Sequence, residues 1–104
     1  MKFIITESKL ENIVFKYLDN LDLNPTKRAQ SIYFLTVDET ALIKYDMTDY
    51  ECRVSNQLFD EISSFFSLDR ELTLEFIKNW VKLNYNLKIY KTYPTYIKYI
   101  KPQL

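Results

Sequence analysis

Glycine and histidine are both absent from this chain of 104 residues, and cysteine occurs once. Without histidine the chain lacks the commonest general base and the commonest nitrogen ligand for metals. Zinc sites built from cysteine and histidine are excluded. Without glycine there is no glycine-rich phosphate loop and no dinucleotide fingerprint. Turns that need positive φ are expected to fall to asparagine or aspartate, and seven asparagines are available. The lone Cys52 rules out an internal disulfide. Its place in an alternating stretch reads as a small buried hydrophobe in a reducing compartment.

Long hydrophobic runs are missing too. None approaches the roughly 18 residues that a membrane span needs. Phe3-Ile4-Ile5 is too short for the apolar region of a signal peptide, and Glu7 follows closely. No Asn-x-Ser/Thr sequon occurs. The expectation is a cytoplasmic protein with no membrane partner.

What is present is apolar and aromatic. Hydrophobic residues make up 47% and aromatics 16%, with nine Tyr and seven Phe. That is too apolar for a disordered chain and enough for one domain over residues 1–104. Net charge is zero, but it is unevenly placed. Residues 1–75 hold all 14 acids with eight basic residues, and six lysines follow with no acid among them. An acidic body therefore precedes a basic tail.

The chain is organised around Ser31–Val54. Ile32-Tyr33-Phe34-Leu35-Thr36-Val37 is an almost unbroken β-branched and aromatic run. Thr40–Tyr45 returns, and Tyr50-Glu51-Cys52-Arg53-Val54 alternates, with Glu51 and Arg53 opposite Tyr50, Cys52 and Val54. This pattern predicts a three-stranded antiparallel meander. Lys2–Ile5 is a short apolar strip, an edge strand or a staple for the helix after it. Thr6 or Ser8 can cap that helix, and Ser8-Lys9-Leu10-Glu11 fits a capping box. Leu10, Ile13, Val14, Tyr17, Leu18 and Leu21 then form one helical stripe. Asn20–Gln30 reads as a linker broken at Asn24-Pro25.

After the meander, Ser55 or Asn56 caps a second helix with the stripe Leu58, Phe59, Ile62, Phe65 and Phe66. Asp69 caps a third, whose apolar set is Leu72, Phe76, Ile77, Trp80, Val81 and Leu83. Trp80 reads as core with one partner for its indole N–H. Asn84 or Asn86 ends this helix. Leu87–Lys91 and Thr95–Ile100 then read as two strands joined by a turn at Tyr93-Pro94-Thr95. The fold class is α+β: an antiparallel sheet, meander plus C-terminal hairpin, packed by three helices in the order α-β-β-β-α-α-β-β.

No catalytic constellation can be named. Serine and cysteine have no histidine to activate them, and no carboxylate pair is marked out by its neighbours. Asp46-x-x-Asp49-x-Glu51 could bind a hard cation through oxygen, but it reads as a solvated turn. No metal and no cofactor are expected. The one feature above background is the tail. Lys88, Tyr90, Lys91, Tyr93, Tyr96, Lys98, Tyr99 and Lys101 interleave cations with aromatic rings, the recipe for single-stranded nucleic acid. The same residues also suit an ordinary strand edge guarded by lysine.

The opening Ile4-Ile5-Thr6-Glu7-Ser8-Lys9-Leu10 resembles the "IITES" start of many small uncharacterised proteins of tailed bacteriophages and marine viral metagenomes. The resemblance covers residues 1–18. It implies a viral origin, with the cytoplasm of a bacterial host as location, and carries no activity. The expected role is a non-enzymatic interaction module with a protein partner or a second copy of itself. The alternative is single-stranded nucleic-acid binding through the tail.

Overall fold

The computed structural model describes residues 6–100. The strip Lys2–Ile5 and the tail residue Lys101 lie outside them. The chain is α+β, running α1 (Glu7–Asp19), β1 (Asn24–Arg28), β2 (Ser31–Leu35), β3 (Ala41–Asp46), β4 (Glu51–Ser55), α2 (Asn56–Phe65), α3 (Arg70–Tyr85) and β5 (Lys91–Thr95). The five strands form one sheet in sequence order. β1 to β4 are antiparallel, and β5 is parallel to β4.

The meander lies where the alternation placed it. Phe34, Ile43 and Val54 stand opposite one another and are fully buried. They share a core with Val14 and Leu18 of α1, Leu58 and Ile62 of α2, and Phe76, Ile77, Trp80 and Val81 of α3. All three helices therefore cover one face of the sheet. A register shift between Phe34 and Leu35 turns both Leu42 and Ile43 into this core. Trp80 donates its indole N–H to Asp19 Oδ1 at 2.9 Å, which ties α3 to the end of α1. Cys52 is buried, and burial pushes its thiol up to about 12, so it carries no thiolate near neutral pH.

Two strand assignments need correction. The expected linker contains β1, which pairs with β2 through the two-residue loop Ala29-Gln30. Pro25 is tolerated because β1 is an edge strand, where a missing N–H breaks no ladder. The expected C-terminal hairpin does not form. Instead one strand, β5, spans the proposed turn, with Pro94 inside it opposite Val54. The reason is the crossover. Ser55 ends β4 and caps α2, and α2 and α3 carry the chain back to the start of β4, so the next strand runs parallel beside it. The order is thus α-β-β-β-β-α-α-β. Both edges now carry a proline and a lysine, Pro25 with Lys27 and Pro94 with Lys91, which blunts edge pairing.

Caps follow the sequence with one exception. Ser55 accepts from Leu58 N, Asp69 accepts from Leu72 N, and Asn86 closes α3 at φ 52°. At α1 the cap is Thr6, which accepts from Lys9 N at 3.3 Å. The Ser8–Glu11 box does not form, because Ser8 is already helical and Glu11 accepts from Asn79 Nδ2 of α3. Three expected stripe residues miss the core. Ile13 and Leu83 face solvent, and Phe65 is exposed while resting on Tyr17 and Phe66.

Positive φ is not confined to asparagine and aspartate. Asp22 and Asn86 adopt it, but so do Ala29, Glu39, Tyr50 and Ser67. At Ala29 (φ 54°) the first central position of the β1–β2 hairpin demands that geometry, and no local side chain favours it. Ala29→Gly relieves about 1–2 kcal/mol of crowding and adds back about 0.4–1 kcal/mol of unfolded-chain freedom. The expected result is a Tm about 4 °C higher by thermal denaturation. An unchanged or lower Tm would count against strain at this turn.

Candidate functional site

The face of the sheet away from the helices carries the residues that alternate with the core. Register sets Thr26, Tyr33, Lys44, Arg53 and Tyr93 side by side in one row across all five strands. The next row holds Arg28, Ser31, Asp46, Glu51 and Lys91. Side chains at equivalent strand positions share a face, so tyrosines and cations from every strand meet on one surface.

Their contacts are specific. Lys44 Nζ lies 5.3 Å from the Tyr33 ring centroid. Lys91 Nζ lies 5.2 Å from the Tyr93 ring. Arg53 Nε donates to Tyr93 Oη at 2.6 Å. The three carboxylates Asp46, Asp49 and Glu51 sit 3.4–3.5 Å from the Arg53 guanidinium. The acidic cluster of the sequence is thus a turn closed around an arginine. Thr48 donates to Asp46 from both hydroxyl and backbone N–H, and with Arg53 nearby this holds the Asp46 carboxyl below its ordinary pKa. The Tyr93 phenol oxygen, with Asp49 and Asp46, holds Arg53 above its own. Arg53 is therefore a fixed structural cation, while Lys91 is exposed and Lys44 half-buried, each beside a ring.

Beyond β5 the chain does not leave the sheet. Tyr99 packs against Tyr33 with ring centroids 5.0 Å apart and the planes tilted by 57°. Arg28 Cζ lies 4.5 Å over the Tyr99 ring, and Arg28 Nη1 donates to the Ile100 carbonyl at 2.6 Å. Residues 96–100 therefore strap the open face from the β5 edge to β2 and β1. The strap is extended, with Tyr96 and Lys98 outward and Ile97 and Tyr99 inward. It is loosely seated. A cavity of about 300 Å³ lies beside Ile97, and one of about 380 Å³ beside Tyr99. The ring pair contributes about 0.5–1.5 kcal/mol, and the cation over Tyr99 about 0.5–1 kcal/mol.

The expected tail constellation is split by this geometry. Lys91, Tyr93 and Tyr99 are on the open face. Tyr96 and Lys98 point outward from the strap. Lys88 and Tyr90 lie elsewhere, at the start of β5, where Lys88 Nζ is 4.8 Å from the Tyr90 ring and Tyr90 packs edge-on against Tyr50. Tyr45 Oη, from the helix side, donates to the Lys88 carbonyl and fixes this segment. Sequence reading missed Arg28, Tyr33, Lys44 and Arg53. The outward direction of Lys44 and Arg53 was readable from alternation with Ile43, Cys52 and Val54; that of Arg28 and Tyr33, and the common row, were not, because they depend on register. Compared with protein-family models, curated proteins and solved structures, the chain matches none.

Proposed function

We propose that this chain is a non-enzymatic binding module that works through the open face of its sheet, and that the ligand this face suits best is single-stranded nucleic acid. The observation that carries the reading is the row Tyr33–Lys44–Arg53–Tyr93, flanked by Arg28, Lys91 and Tyr99. Rings there offer faces on which any base can stack, and the neighbouring cations neutralise phosphates. A sheet that displays aromatics from adjacent strands is an established way of holding unpaired bases. An arginine, absent from the tail, is supplied by β1 as Arg28, whereas Arg53 of β4 is held by its own carboxylates. Titrating a fluorescein-labelled single strand, DNA or RNA, should give an anisotropy rise that weakens steeply with salt. No rise at low salt would remove this reading.

A second reading, a protein-interaction module, is favoured by the strap itself, since an extended aromatic segment already lies on this face. The N-terminal resemblance supports a viral source for either. Self-association through sheet edges is disfavoured by the proline and lysine on each edge. Among the described residues no helix is long and apolar enough to cross a membrane.

A further inference from the structure

We propose that Tyr33 and Arg28 form a nucleotide subsite that the strap occupies in cis, so that ligand and strap compete for it. The inference rests on the binding face described above and adds its regulation. The strap presents the chemistry of a nucleotide. The Tyr99 ring lies 5.0 Å from Tyr33, where a base would stack, and the Ile100 carbonyl oxygen lies 2.6 Å from Arg28 Nη1, where a phosphate oxygen would sit. Arg28 Nη2 donates to Tyr99 Oη at 3.4 Å, a second acceptor. An arginine fork so placed takes two oxygens at once.

The remainder of the strap is suited to leaving. Tyr96 is 80% exposed and Ile100 63% exposed, cavities flank Ile97 and Tyr99, and among the described residues no strand pairing extends past Thr95. Lifting it uncovers Tyr33 and frees Arg28 without disturbing a ladder. A site closed about nine-tenths of the time binds its ligand about tenfold more weakly than the open site does.

The test is anisotropy of a fluorescein-labelled oligothymidylate of about twelve nucleotides against the full chain and its variants. Tyr99→Ala should bind about tenfold more tightly than wild type. Tyr99→Phe, which keeps the ring, should bind as wild type does. Adding Tyr33→Ala to Tyr99→Ala should abolish the gain. If wild type binds and Tyr99→Ala binds equally or more weakly, the competition is overturned and the binding face stands. If neither wild type nor Tyr99→Ala binds at low salt, both are overturned. Circular dichroism of each variant confirms that the sheet is intact, and should Tyr99→Ala unfold, Tyr99→Leu, which keeps apolar bulk but removes the ring, carries the comparison with the same expected gain.

Discussion

Phe34→Ala lowers the urea unfolding midpoint by about 2 M, the largest stability effect expected of a single substitution in this chain. Phe34 has no exposed surface, stands opposite Ile43 in the sheet, and lies 4.8 Å from the Tyr85 ring at the end of α3. Truncating a fully buried phenylalanine costs about 3–5 kcal/mol, the lost transfer energy plus the cavity left behind. A domain of this size holds about 5–15 kcal/mol in total, so the variant gives up a large fraction of its stability. Phe34→Leu, which leaves a smaller void, should recover most of it. A midpoint shift below about 0.5 M for the alanine variant would show that the packing around β2 can collapse into the space.

Reversing two cations on the open face is the corresponding test of binding. Lys44→Glu combined with Lys91→Glu should weaken a single-stranded oligonucleotide by about 100-fold at moderate salt. Two phosphate contacts are lost, so the slope of log K against log salt should flatten by about 1.4. The lysines are chosen because Arg53 is already surrounded by three carboxylates, whereas Lys44 and Lys91 lean over Tyr33 and Tyr93. The control is Lys9→Glu with Lys16→Glu on α1, which changes net charge equally on the helix side. If that pair weakens binding as much, the effect is general electrostatics and the face is not the site.

Much of the fold was legible because core and surface alternate at the right period. Cys52 and Val54 around Arg53 announce a strand with one buried face, and the apolar run Ile32–Val37 announces a strand without telling its faces apart. Ser55, Asp69 and Asn86 announce helix ends. β1 was not legible because Asn24-Pro25-Thr26-Lys27-Arg28 has no apolar alternation; its place comes from the exposed edge of β2, not from its own residues. β5 was misread because Tyr93-Pro94-Thr95 is good turn chemistry, and nothing local shows that the α2–α3 crossover delivers this segment parallel to β4. The tail lysines and tyrosines stand out in the sequence as an interleaved run. Half of the surface they join, Arg28, Tyr33, Lys44 and Arg53, is assembled only by strand register, which one residue of slip would undo.

The crossover also sets the order in which the face can be completed. The hairpins of β1 to β4 close over short loops, but the contact between Arg53 and Tyr93 bridges 40 positions of sequence. About three doublings of loop length separate the two cases, or roughly 2 kcal/mol of extra closure entropy. Non-local pairings of this kind form late on the way to the native state. The meander can therefore stand as a nucleus while Lys91, Tyr93 and the strap are still unplaced. The chain thus reaches its globular form before it owns a finished surface, and its newest-formed element is the one that finishes it.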